Sequence, residues 1–141
     1  DAETKVYYVT LSGFDTHNNQ KNQQERLLKM YSDGVGALAK ELKVSGRWKD
    51  TLVMTFSEFG RRVEQNASGG TDHGKANCVF LNGGALNNAG MYNEISSLSK
   101  LDQGDLKYTI DFRNIYATLL QKWLKADAPT ILNKRFDLLK I

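Results

Sequence analysis

The chain has one cysteine, Cys78, so no disulfide can form within it, and cysteine usage does not fix a redox compartment. In the run Asn77-Cys78-Val79-Phe80-Leu81 that thiol reads as a buried structural group rather than a reactive one. No stretch approaches the roughly 20 consecutive apolar residues of a membrane-spanning helix, which excludes a membrane span of that kind. Charge of one sign is also lacking. Nineteen basic against 16 acidic residues leave a net charge of +3, and the basic residues are scattered. This excludes a nucleic-acid-binding patch and leaves at most a mild preference for anionic ligands. There are no internal repeats and no linker that would split the chain. With 141 residues, 40% of them apolar and 25% charged, the sequence fits a single soluble globular domain over residues 1–141. The start, Asp1-Ala2-Glu3-Thr4, has neither Met nor a signal-peptide pattern, and reads as a chain cut from something longer.

Periodicity predicts an α/β fold. Lys5 to Leu11 is β-branched, aromatic and nearly continuous, as in a strand buried on both faces. A helix is expected from about Asn19 to Lys43, because Leu27, Leu28, Tyr31, Val35, Leu38, Ala39 and Leu42 recur at spacings of three and four. Gly34 and Gly36 weaken its middle and suggest close packing there. Thr51 to Phe56 is a second buried strand, so strand, helix and strand make a βαβ unit with parallel strands. Residues 57–76 form a polar, Gly/Asn/Ser-rich stretch read as a long functional loop. The strand Asn77–Leu81 follows without room for a crossover helix, which predicts that it runs antiparallel to Thr51–Phe56. A second helix is expected from about Asp111 to Lys125, with Asp111 at its N-cap, and Pro129 suits the first turn of a short final helix.

The chain has only two histidines, and each lies beside or one residue away from an aspartate in a glycine-flanked segment. The segments are Gly13-Phe14-Asp15-Thr16-His17 and Gly70-Thr71-Asp72-His73-Gly74. Carboxylate and imidazole together are usual ligands for zinc, manganese or iron. One loop Asp-x-His is ordinarily a turn with a solvated imidazole. Two Asp/His segments at one sheet edge, as the expected topology places them, point to a metal site with Asp15, His17, Asp72 and His73 as ligands. Adjacent Asp72 and His73 require a turn, which Gly70 and Gly74 permit. In Ser57-Glu58-Phe59-Gly60-Arg61-Arg62, Glu58 is a candidate metal ligand or general base, and Arg61 a candidate bidentate anion clamp. Alone, this segment would read as a salt-bridged surface turn. Ser57 lacks the Gly-x-Ser-x-Gly elbow of a nucleophile. Lys75 is a candidate to neutralise an anionic ligand, though such a lysine is more often solvated. Asp111-Phe112-Arg113 reads as structural.

These motifs, in this order and followed by Asp111-Phe112-Arg113 and Tyr116, resemble the bacterial family known as domain of unknown function 1501, placed with the alkaline-phosphatase and sulfatase superfamily. The resemblance spans nearly the whole chain. It implies a three-layer α/β/α alkaline-phosphatase-like core, partial here, with a mixed sheet. It implies a divalent metal, zinc in the first instance with manganese, calcium or iron as alternatives, held by Asp15, His17, Asp72 and His73. Glu58-Phe59 stands where the superfamily often has Asp-His. The implied activity is hydrolysis of a small anionic phosphate or sulfate ester, with Glu58 and Arg61 as catalytic residues. Family members are longer and often carry export signals, which implies a periplasmic or extracellular location. The superfamily's nucleophile lies toward the N-terminus of such proteins, so the N-terminal remainder of the parent is the expected partner and the isolated chain is expected to be inactive. The alternative is an exported or surface binding module that kept the fold without the chemistry.

Overall fold

The computed structural model describes residues 5–141; the reading made of Asp1-Ala2-Glu3-Thr4 lies outside the described residues. Two compact units make up the chain, one of residues Leu11–Tyr108 and one of Asp1–Thr10 with Thr109–Ile141. The protein is mixed α/β, with three α-helices and two small antiparallel sheets among the described residues.

The unit 11–108 holds a helix α1 (Gln20–Val44) and four strands, β1 (Leu52–Thr55), β2 (Gly60–Gln65), β3 (Thr71–Gly74) and β4 (Phe80–Gly83). Helix α1 lies where the three/four periodicity predicts it. Leu27 is its one buried residue. Gly34 and Gly36 have open space around them, so they do not mark close packing. Ser45 ends the helix, its hydroxyl donating to the Glu41 carbonyl at 2.9 Å, and Gly46 follows at φ 71°. Strand β1 pairs antiparallel with β4 in unbroken register, from Leu52 opposite Gly83 to Thr55 opposite Phe80. This bears out the antiparallel return, begun three residues later than expected. The connection before it leaves Cys78 exposed rather than buried.

Two expectations give way. The stretch 57–76 is not a long loop: β2 and β3 form an antiparallel hairpin inside it. Its polar residues hide the strand signal, because neither face of this hairpin is apolar enough to alternate. The βαβ unit is not formed either. No strand forms over residues 5–11 among the described residues, and both sheets are antiparallel. Val6 and Val9 are exposed. An apolar β-branched run satisfies the composition of a buried strand, but a strand also needs a neighbouring backbone in register.

In the other unit, α2 (Phe112–Lys122) begins at Asp111, whose carboxylate accepts from the Arg113 backbone amide at 2.9 Å. Its buried face is Ile115, Ala117 and Thr118. Thr118 Oγ1 also accepts from the Leu139 amide at 2.8 Å, which ties the C-terminal segment to the helix. Helix α3 (Ala128–Ile131) carries Pro129 in its first turn, as expected.

Candidate metal centre

The site lies within the unit 11–108 and is assembled from the loop before α1 and from the β2–β3 hairpin. Gly13, at φ 103°, turns the chain into the first motif. The loop then runs beside the hairpin connection. The Asn19 and Gln20 amides, which the first turn of a helix leaves without internal partners, donate to the carbonyls of Ser68 and Gly69 at 3.1 and 3.0 Å. Asn66 holds the same junction: its Oδ1 accepts from the Ser68 and Gly70 amides at 2.9 and 3.0 Å, and its Nδ2 donates to the His17 carbonyl at 3.0 Å. Gly70 sits so close to this backbone that a Cβ there would lie 2.2 Å from the His17 carbonyl carbon.

These contacts bring three side chains to one point. Asp15 Oδ1 lies 2.9 Å from His17 Nε2 and 2.9 Å from His73 Nε2, and the two Nε2 atoms are 3.1 Å apart. The three atoms form a nearly equilateral triangle. With the Asp15 carboxyl ionised, as its lowered pKa favours, hydrogen bonding alone leaves one edge of it unsatisfied. Each Nε2 carries either a proton or a lone pair. If both are protonated, two donors face each other across 3.1 Å. If only one is protonated, the other turns its lone pair toward the carboxylate. A cation receiving all three lone pairs removes the conflict. The size also suits one, since four ligands about 2.0–2.1 Å from a tetrahedral zinc lie about 3.3 Å apart. The residues therefore fit a divalent metal, bound on three protein atoms with a further position open.

The Asp15 carboxyl is held below its usual range, chiefly by its hydrogen bond with His73, with the charges of His17, His73 and Arg61 adding to this against some loss of solvation. The Phe59 ring stacks on His73, with centroids 3.4 Å apart and planes 19° from parallel. The cluster is open to solvent, with about half of each imidazole exposed (46% for His17 and 44% for His73). Neither of the two described surface cavities includes it; the larger, about 430 Å³, runs beside Tyr31, Val35, Trp48 and Phe80.

The other predicted site residues take different places. Asp72 and His73 are neighbours in β3, not in a turn. Successive strand residues point to opposite faces, and the two side chains reach different nitrogens of the His17 ring, His73 at Nε2 and Asp72 at Nδ1. Asp72 Oδ1 lies 3.6 Å from Nδ1 of His17, on the ring edge away from the triangle. At that distance it is a charge contact and not a hydrogen bond. Glu58 is exposed and does not join the cluster. Arg61 does not face solvent: Nη1 donates to the Thr71 carbonyl at 2.8 Å and Nη2 to the Phe14 carbonyl at 2.5 Å. Ser57 donates to the Phe59 carbonyl at 2.9 Å. Lys75 pairs with Asp102 at 3.2 Å, so its charge is engaged by the turn at 102–105. Phe59 and Asn66 were missed by the sequence reading. Only their places, Phe59 between Glu58 and Gly60 and Asn66 in the connection ahead of Gly70, could have drawn attention to them.

Fold and cluster together define a mixed α/β protein with an open group of two imidazoles and one carboxylate. The chain belongs to the family described as protein of unknown function (DUF1501), whose model matches residues 1–131. No curated protein and no solved structure matches it.

Proposed function

We propose that the chain supplies the metal-binding part of a metal-dependent hydrolase acting on phosphate or sulfate esters, of the alkaline-phosphatase and sulfatase type and exported from the cytoplasm. The triangle of Asp15 Oδ1, His17 Nε2 and His73 Nε2 carries this reading, because a cation satisfies all three atoms, whereas protons leave one edge unpaired when the Asp15 carboxylate is ionised. Zinc, manganese and iron(II) suit two imidazoles and a carboxylate; calcium, which prefers all-oxygen sites, does not. When bound, such an ion would polarise an ester oxygen and lower the pKa of an attacking group. The chain's own residues have narrower tasks. Asp15, His17 and His73 would hold the ion, Asp72 would keep its charge beside Nδ1 of the His17 ring, and Phe59 would cover one face of His73. Exposure of the cluster leaves room for a small anionic ester.

A second reading, a binding module without catalysis, is favoured by two observations. Glu58 stands outside the cluster, and two backbone carbonyls occupy the Arg61 guanidinium. Elemental analysis of the full-length protein, followed by assays with aryl phosphate and aryl sulfate, separates the readings. The expected result is one bound metal ion per chain and ester hydrolysis, both lost in His17→Ala and His73→Ala. Metal without turnover selects the binding module. A wild-type protein that takes up no zinc, manganese or iron(II) overturns the metal centre itself.

A further inference from the structure

Arg61 is the cross-strand partner of His73 in the hairpin. Its side chain is mostly buried, 17% exposed, and its two terminal nitrogens reach two different segments. Nη1 donates to the carbonyl of Thr71, two residues before His73. Nη2 donates to the carbonyl of Phe14 and, at 3.4 Å, to Thr16 Oγ1, the residues on either side of Asp15. The same Nη2 lies 3.6 Å from Asp15 Oδ1. Just beyond this point the hairpin is irregular. From the Arg61–His73 pair to the Gln65–Thr71 pair, β2 advances four residues while β3 advances two. The ladder on that side therefore does little to fix where β3 lies.

We propose that Arg61 is a positioning residue. Its guanidinium fork sets the separation between the loop bearing Asp15 and His17 and the strand bearing His73, so that the three ligand atoms converge, and it is not an anion clamp. This rests on the metal-centre reading above. The planar fork is what the task requires. Arginine presents parallel donors in fixed geometry, whereas a lysine ammonium offers the charge but cannot span two carbonyls with the same spacing. Arg61 also faces Phe59, its Cζ 5.4 Å from the ring that stacks on His73. One side chain thus touches the supports of all three ligands.

The test uses Arg61→Lys and Arg61→Ala in the full-length protein. Zinc affinity is measured by competition with a chromophoric chelator, and the site's geometry by the visible spectrum of bound cobalt(II). Amide hydrogen exchange of residues 13–18 and 71–74 is followed in the metal-free protein. For Arg61→Lys we expect zinc binding weakened by about 10- to 100-fold, the range for losing a residue that supports metal ligands. The cobalt spectrum should change, and exchange should rise in both segments together while α1 stays protected. Guanidinium added to Arg61→Ala should restore part of the zinc affinity. Unchanged zinc affinity and cobalt spectrum in Arg61→Lys would overturn the proposal. So would weaker binding of inorganic phosphate with zinc binding intact, the signature of an anion clamp. If the wild type binds neither zinc nor cobalt, the metal centre falls, and the exchange arm still decides for Arg61. Joint loosening of the two segments upholds the clamp, and loosening of neither or only one overturns it. If Arg61→Ala does not fold, the lysine variant alone decides.

Discussion

The two sheets of the 11–108 unit are built on opposite logics. β1 and β4 meet in unbroken register, with Leu52, Val53, Met54 and Leu81 giving an apolar ladder beneath α1 residues such as Tyr31. β2 and β3 carry almost no apolar residues, lose register between Arg61 and Gln65, and are held by side chain to backbone bonds from Arg61 and Asn66. The first arrangement rests on a continuous backbone ladder carrying partly buried apolar side chains. The second stabilises through specific polar contacts and close backbone approach. Its His73 is thereby left free to meet Asp15 and His17 of the loop before α1, and the cluster of the three forms beside this hairpin and not on the apolar sheet.

That contrast can be broken most sharply at Gly70. A Cβ at this position would overlap the His17 backbone, so Gly70→Ala is expected to cost about 2–3 kcal/mol in chemical denaturation and to abolish stoichiometric zinc binding. A loss of stability with zinc binding intact would show that the hairpin tolerates displacement. A reference outside both sheets is Asp111→Ala, which removes the α2 cap and should cost about 1 kcal/mol while leaving metal content unchanged. Its pH dependence follows from the carboxyl lying below its ordinary 3.8, chiefly through the hydrogen bond from the Arg113 side chain. A depressed carboxylate stabilises fully above its unfolded value and loses that contribution as pH falls through the folded value. The difference between wild type and Asp111→Ala should therefore be constant above pH 4 or so and shrink in more acid solution.

On the apolar side, Tyr31→Phe removes the hydrogen bond to Thr55 Oγ1 at 3.0 Å, with an expected cost of about 1 kcal/mol and no change in zinc affinity. A change in zinc affinity would mean that the two sheets are energetically coupled. The smallest effect has the opposite sign. Gly34→Ala and Gly36→Ala place a methyl group where nothing lies within 4 Å, so each should stabilise by about 0.5–1 kcal/mol, read as a rise in thermal midpoint.

Legibility in the sequence divides along the same line. Helix α1, the capped α2 and the antiparallel β4 were readable because periodicity, capping and connection length are local signals. The hairpin β2–β3 was not, since a polar strand pair leaves no hydrophobic alternation. The strand expected over 5–11 failed for the converse reason: its composition suited a strand, but composition does not supply a partner. At the site, Asp15, His17 and His73 were nominated by residue type and context. The same reasoning nominated Asp72 as a fourth ligand and Arg61 as an anion clamp, because sequence spacing does not reveal which way a side chain points.

By itself, then, the sequence determined the helices, the family-level motifs and the few residues able to bind a metal, since these rest on residue chemistry and short-range geometry. Only the tertiary structure decided that Asp15, His17 and His73 meet within 3.1 Å, that Asp72 addresses the far side of His17, and that Arg61 is spent on two carbonyls. Contacts between residues some 50 positions apart depend on how the loop and the hairpin lie against each other. That placement is set by Gly70, Asn66 and the register of β2 on β3, which no local pattern encodes.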